Sequence, residues 1–326
     1  MQTVYVAGGA GFIGSNLCAR LLKDGYEVVC IDNFITSSEQ NIVPLRENPY
    51  FHFVNADITN LTAGLFDNAI TKTLPKPDFI FHLASPASPN KNSKRSYIAL
   101  PVETLLVNTL GTYGLLELAT KHNARFLFAS TSEVYGDPMV NPQPETYWGN
   151  VNPNGVRSVY DEGKRCGEAF TMSYVRSKNL DARIVRIFNT YGPHMQPDDG
   201  RVVSNFILQA LQQKPLTIYG KGDQTRSFCY VDDLVDGLCA YMFTNNLQGE
   251  VINLGNPHEK TIKEFAAIIK DLTKTPSEIV YEDLPEDDPR KRNPDITKAK
   301  KLLKWEPKVS LEDGLQKTIA YFEQVI

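Results

Sequence analysis

A glycine-rich turn, Gly8-Gly9-Ala10-Gly11-Phe12-Ile13-Gly14, follows a short apolar run and opens an amphipathic segment. Glycines at 8, 11 and 14 let the turn tighten, let backbone N–H groups approach a pyrophosphate, and let a helix pack closely on a strand. The helix that this turn opens, with Phe12 and Ile13 at its entry, turns its positive end toward the phosphates. Asp32 ends the next β-branched run, about 20 residues on, where an acid that hydrogen-bonds a ribose is expected. Together these residues predict a dinucleotide site. No Arg or Lys stands between Asp32 and Arg46 to offset repulsion of a 2′-phosphate, so the pattern favours NAD over NADP. Asn33 continues that strand end, and Asp57-Ile58, just past the third predicted strand, suit a contact with the adenine edge.

Short β-branched and aromatic runs at 4–6, 27–31, 51–54, 79–83 and 125–129 alternate with helical patterns at about 14–24, 103–122 and 160–178. Near-continuous apolar strands mean a parallel sheet buried on both faces, and strand–helix alternation means a doubly wound α/β fold. A later run, 183–188, is expected to extend the sheet. After Asn189 the texture changes to glycine- and proline-broken loops around helices near 203–213, 295–303 and 311–324, with a charged loop from Leu284 to Pro294. The expected fold is therefore a Rossmann-like domain over 1–189 with a smaller C-terminal substrate-binding lobe over 190–326. A stretch at about 228–255 is expected to return to the first domain.

With 34 Lys+Arg against 38 Asp+Glu and a net charge of -4, there is no electrostatic footprint for nucleic acid or an anionic membrane. No apolar run approaches the ~18 residues of a membrane span, and a strand begins too early to leave room for a signal peptide. Five scattered cysteines (18, 30, 166, 229, 239) without a C-x-x-C spacing read as reduced thiols in a cytoplasmic protein. The histidines lack metal-ligand spacing, so no metal is expected, and His82 is placed beneath the cofactor.

Tyr160 and Lys164 stand four residues apart, on one face of a helix. A phenol is a poor base at neutral pH, but an adjacent ammonium and a positive nicotinamide ring would favour its phenolate. Tyr160 is thus a candidate base for an alcohol proton. Thr131 lies at the end of the fifth strand, beyond which ligands of open α/β sheets bind, and its hydroxyl can reach the reacting oxygen. Glu133, on its segment alone, reads as an exposed loop carboxylate or a helix cap rather than as a site residue.

These features resemble the extended short-chain dehydrogenase/reductase superfamily and, within it, the UDP-glucuronate decarboxylases (UDP-xylose synthases). The resemblance spans essentially the whole chain. It rests on HLASPASP at 82–89, STSEVYGDP at 130–138, YWGNVNP at 147–153, YDEGKR at 160–165, RIFNTYGP at 186–193, DGRVVSNFILQAL at 199–211, YGKGDQTRSFCYVDDL at 219–234 and DDPRKRNPDI at 287–296. It implies cofactor contacts from Leu83, Ala84 and Ser85, and substrate contacts from Tyr97, Asn189, Arg201, Val202, Asn205, Tyr219 and Arg226. It implies Arg292 beside the sugar acid, and a homodimer paired through the helices at 103–122 and 160–178. Alternatives within the fold are a dTDP-glucose 4,6-dehydratase and a nucleotide-sugar 4-epimerase. A dehydratase must protonate a leaving hydroxyl and carries an acid where this chain has Ser132. A decarboxylase instead needs a cation to hold a carboxylate in a water-poor site. A non-catalytic relative would have lost part of Thr131, Tyr160 and Lys164, and all three are present.

The implied reaction is a closed redox cycle: oxidation at C4 by NAD, loss of CO2 from the 4-keto acid, and reduction to UDP-xylose, with Ser132 and Glu133 positioning the sugar. Two departures from the family stand out. Asn90-Lys91-Asn92-Ser93-Lys94-Arg95 lengthens a normally short connection by about five residues ahead of Tyr97, as a plain surface insertion or as a reshaped rim. Ser37-Ser38 replaces a glycine and a basic residue near the adenosine.

Overall fold

Strand β1 (Thr3–Ala7) is buried along its whole length, as a central strand covered on both faces must be. Val4 and Val6 join one apolar cluster and Tyr5 and Ala7 another, the two-residue alternation of an extended chain. In this computed structural model, residues 1–61, 74–283 and 292–326 are described; Arg290 and Lys291 of the charged tail lie outside them. β1 pairs in parallel with β2 (Glu27–Asp32), which pairs with β3 (Phe51–Asn55). On its other side follow β4 (Phe79–His82), β5 (Arg125–Thr131), β6 (Ala182–Ile187) and an edge strand, Val251–Leu254. The seven strands are all parallel, and the strand order reverses between β1 and β4, which opens a crevice at their C-terminal ends. This is the Rossmann-like doubly wound sheet that the sequence predicts.

Helix α1 (Phe12–Lys23) runs from the glycine turn and buries Leu17, Cys18 and Leu21. The expected helix at 103–122 is not a single α-helix. It begins at Pro101, a favoured first position, then passes through a π-helical turn at Val107–Gly111 before resuming at Thr112–His122. The cause is tertiary. Buried Asn108 donates through Nδ2 to Ser85 Oγ (2.9 Å) and to Thr104 O (2.8 Å), and Gly111 lies against Ile58 with no room for a Cβ. π-turns of this kind concentrate at functional sites.

Beyond β6 the chain forms short two-stranded pairings, 190–191 with 229–230, 225–227 with 259–261 and 216–219 with 279–282. Around them pack the helices Val202–Leu211, Ile262–Thr273 and Leu311–Val325. Phe228 stacks on Phe265 with ring centroids 4.6 Å apart, and Phe206 closes the same cluster. The five cysteines are free thiols, four of them buried.

Candidate active site

The glycine turn is shaped by close approach. Gly8 has φ +80°, and a Cβ there would stand 2.6 Å from Ala84 N; a Cβ on Gly14 would strike Gly8 O. Gly11 caps α1 without a side-chain bond, so the first-turn N–H groups of the helix face the crevice unclaimed by a capping side chain. Asp32 is buried. Its Oδ2 accepts from Ala10 N (3.0 Å), while Oδ1 accepts from Phe34 N (2.9 Å) and from Ser37 Oγ (2.7 Å). Ser37 therefore orients the acid, and Ser38 caps the 3-10 turn Glu39–Asn41. Asn33 Nδ2 donates to Asp57 Oδ2 (3.1 Å), and Asp57 Oδ1 caps Thr59, leading into buried Ile58. Arg46 is engaged by Glu39 at 2.6 Å and stacks over Phe53.

A cavity of about 1640 Å³ opens at this turn. Gly8, Gly11, Phe12, Ile13 and Gly14 line it, with Leu83 and Ser85 of the β4 loop. Thr131, Ser132, Glu133, Tyr160 and Lys164 line the same cavity. So do Asn189, Arg201, Val202, Asn205, Tyr219, Arg226 and Arg292. Ala84, Asp32, Asn33, Asp57 and Ile58 flank the cavity without lining it.

Tyr160 sits in the first turn of the helix Ser158–Lys178, stacked on Tyr97 with centroids 5.0 Å apart and planes 6° from parallel. Burial pushes its phenol up to about 12, against a hydrogen bond with Thr131 that lowers it. Lys164 Nζ donates to Ala129 O at 2.8 Å and lies over the Tyr160 ring at 5.9 Å. Burial pushes Lys164 down to about 7. The phenolate expected from the Tyr–Lys spacing thus has to be favoured by more than the ammonium alone. His82 is fully buried, 3.1 Å from Thr112 Oγ1, and burial pushes it down to about 3, so it is neutral at ordinary pH.

Glu133 is the hub of the sugar end. Thr131 caps the short 3-10 turn Ser132–Tyr135, which aims Glu133 at two arginines. Arg157 Nη2 donates to Glu133 Oε2 at 2.6 Å, and Arg292 Nη1 pairs with Oε1. Burial alone would raise the Glu133 carboxyl, but Arg292 and Arg157 outweigh it and hold the group well below the usual carboxylate range. Arg292 also donates to Ser132 Oγ (3.4 Å) and Gly136 O (3.2 Å). Its Nε, Tyr97 Oη and Asp161 Oδ1 are buried without a hydrogen-bond partner among the described residues. Burial and the charge of Glu133 push Asp161 up to about 7.

A family model described as "NAD dependent epimerase/dehydratase family" matches residues 4–255. The chain belongs to that family. Within reach of the NAD dependent epimerase/dehydratase proteins, it is 49% identical over 323 residues to UDP-glucuronic acid decarboxylase 1 of Xenopus tropicalis, covering 99% of this chain and 72% of the relative. It is 50% identical over 324 residues to UDP-glucuronic acid decarboxylase 2 of Arabidopsis thaliana, covering 98% of this chain and 68% of that one. Among solved structures, the UDP-glucuronic acid 4-epimerase of Bacillus cereus in complex with UDP-glucuronic acid and NAD superposes with a TM-score of 0.86 at 32% identity, covering each chain in full.

The cofactor of the family, NAD, fits the cradle found here: the backbone is bare of Cβ atoms at Gly8 and Gly14, a helix N-terminus faces the crevice, and Asp32 stands where a 2′-phosphate would be repelled. Among the described residues no cluster of His, Cys, Asp or Glu could hold a metal ion, and no helix is long and apolar enough to cross a membrane. Sequence reasoning missed Arg157, Asp161 and Asn108. Arg157 stands one turn before Tyr160, a spacing that could have flagged it; the other two owe their places to tertiary packing.

Proposed function

We propose that this chain decarboxylates UDP-glucuronate to UDP-xylose with an NAD that is recycled in each turnover. One observation carries the reading: Arg292, buried and hydrogen-bonded to Ser132, faces the cavity that holds Thr131, Tyr160 and Lys164. Arg157 and Arg292 outnumber Glu133 by one positive charge, the charge one substrate carboxylate neutralises, and burial together with Glu133 disfavours a second negative charge on Asp161. Ser132 has no carboxyl with which to protonate a leaving hydroxyl, and this disfavours the dehydratase alternative.

NAD bound in the cradle supplies the hydride acceptor for C4 and returns that hydride later. Tyr160, hydrogen-bonded to Thr131 and near Lys164, takes the C4 hydroxyl proton. The ketone so formed lies β to the C5 carboxylate, so CO2 leaves with the electrons of its C5 bond received by the carbonyl, and the enolate that results takes one proton from water at C5 to give the 4-keto pentose. Arg292 holds the carboxylate until then, and Glu133, fixed as a carboxylate by Arg157, keeps Arg292 oriented. Tyr160 gives its proton back to the C4 oxygen. Arg201, Val202, Asn205, Tyr219, Arg226 and Asn189 line the end of the cavity that takes the uridine diphosphate, with Gly8, Gly11, Phe12, Ile13, Gly14, Asp32, Asn33, Asp57, Ile58, Leu83, Ala84 and Ser85 around the dinucleotide.

The reading includes a division into a dinucleotide domain over 1–189 and a substrate lobe beyond it, a cytoplasmic setting, and a homodimer. An exposed apolar stripe of Val102, Leu105, Leu106, Leu110 and Tyr113 supports the last of these. The deciding experiment incubates the purified protein with UDP-glucuronate and no added NAD, with product analysis by mass spectrometry and NMR. The expected outcome is UDP-xylose with one CO2 per turnover. Turnover of a neutral dTDP- or UDP-hexose, and none of UDP-glucuronate even with NAD supplied, would replace the reading with a dehydratase or epimerase.

A further inference from the structure

The long connection ahead of Tyr97 closes on itself immediately before that residue. Tyr97 N donates to Ser88 O at 3.1 Å and pinches the base of the loop shut. Inside it, Asn90 and Ser93 turn the chain by accepting from the backbone two residues on, at Asn92 N (3.0 Å) and Arg95 N (3.2 Å). What the extra length does is reach the segment 196–200, which leads into the helix Val202–Leu211. Asn90 Nδ2 donates to Asp198 O at 3.0 Å, Ser93 Oγ donates to Asp198 Oδ2 at 3.0 Å, and Arg95 Nη1 donates to Gln196 Oε1 at 2.8 Å. Ser88 Oγ donates to Asp199 O. Gly200, at φ +82°, lies so near Asn90 that a Cβ on it would collide with the asparagine side chain. Both segments line the cavity that holds Tyr160 and Arg292, and Asp199 in turn grips Arg201, with Nη2 to Oδ2 at 2.8 Å.

We propose that residues 88–96 and 196–200 form a clasp over the mouth of the cavity, and that Asn90, Ser93 and Arg95 act through it as positioning residues that retain the 4-keto intermediate until it is reduced. The inference rests on the decarboxylation proposed above. Before CO2 leaves, the sugar is held at both ends, by its nucleotide and by its carboxylate on Arg292. Afterwards the carboxylate is gone, and the neutral keto sugar loses its grip on Arg292 at the moment when it must wait for reduction. A covered mouth is what then opposes escape. An escaping molecule carries away its C4 carbonyl and leaves the two electrons of the first step on the bound dinucleotide. Each escape therefore yields one UDP-4-ketopentose and one reduced cofactor on the protein.

The test compares the unaltered protein with Ser93→Ala/Arg95→Ala, which removes two of the bonds across the mouth at constant loop length, and with Lys94→Ala, an exposed neighbour. UDP-glucuronate is supplied, CO2 is counted, NMR divides the nucleotide products, and near-ultraviolet absorbance counts the reduced cofactor. In the double variant CO2 release in the first turnover is expected to persist. The ketopentose fraction is expected to rise about tenfold, the effect of about 1.4 kcal/mol on a partition ratio, with an equal gain in reduced cofactor. Lys94→Ala should match the unaltered protein. Excision of residues 91–95 should move the ratio the same way, which serves if the double variant does not fold. An unchanged ratio in a variant that still releases CO2 overturns the clasp, as would an equal rise with Lys94→Ala. Absence of CO2 from the unaltered protein overturns the reaction instead.

Discussion

Tyr160 must lose a proton in a place where burial opposes its charge, and that opposition already stands at about 12 in the protein alone. Lys164 cannot offset it fully, since burial weakens its own hold on a proton. The charge of Arg201 works in the same favourable direction, and the oxidised ring of a bound NAD would add a further positive group. Tyr160→Phe is therefore expected to lower CO2 release by about 10²–10⁴-fold, the usual contribution of a positioned base, with the thermal midpoint unchanged; a variant that turns over freely would remove Tyr160 from this role. Two nearby carboxyls respond to pH in opposite directions. Glu133 is ionised more readily in the fold than in the open chain, so its contribution is present above its ordinary value of 4.5 and is lost as pH falls below it. Asp161 binds its proton more tightly in the fold, because burial, and then Glu133, disfavour its charge. Its contribution is full below its ordinary value of 3.8 and is lost as pH rises through about 7. Asp161→Asn keeps the shape without the charge, and should raise the melting temperature at pH 8 more than at pH 5. Equal shifts at the two pH values, in a melting series over that range, would show that Asp161 does not titrate there.

At the scale of elements, the helix Ser158–Lys178 delivers Tyr160 and Lys164 to the sheet because small residues line its inner face. Gly167 lies against the Phe128 ring of β5, with no space for a Cβ, and Gly163 lies against Asn108. Gly167→Val is expected to cost about 1–3 kcal/mol, as over-packing does, and to slow the reaction by lifting Tyr160 away from Thr131; melting curves and turnover together check this. Strands β1 to β6 and this helix were legible in the sequence because their apolar, β-branched runs and the Tyr160–Lys164 spacing leave direct signatures, whereas the edge strand Val251–Leu254 and the short pairings beyond β6 were not. The helix Ile262–Thr273 lies beyond the expected elements although its signal is local: a capping box, Thr261 with Glu264, and an apolar face of Ile262, Phe265, Ala266 and Ile269. The helix Val231–Phe243 is masked by Gly237, which is there to admit Trp305. The π-turn had no local signal, since Asn108, Ser85, Ile58 and Gly111 create it only once the chain has folded. The glycine turn, Thr131, Tyr160 and Lys164 could be read as a pattern, whereas the Glu133–Arg157–Arg292 cluster draws on three separate segments whose meeting no spacing encodes.

On the scale of the whole molecule, the exposed stripe Val102, Leu105, Leu106, Leu110 and Tyr113 follows one face of the segment that contains the π-turn. Tyr113 lies against Phe170, ring centroids 6.3 Å apart, so the apolar surface continues onto the helix that carries Tyr160. The opposite face of the same segment holds Thr104 and Asn108, fully buried, and Asn108 reaches Ser85 at the dinucleotide end of the cavity. A second copy seated on the stripe would therefore brace the π-turn from behind, and with it the Ser85 loop. Removing the apolar contact should have two effects that travel together. Leu106→Glu/Leu110→Glu places charges on the exposed side, leaving Thr104 and Asn108 untouched, and is expected to convert a dimer into a monomer by sedimentation velocity. The monomer is expected to retain less NAD through gel filtration than the unaltered protein, because its π-turn is held from one side only. A monomer that keeps its NAD would separate assembly from cofactor retention, and a variant that still sediments as a dimer would place the subunit contact elsewhere on the surface.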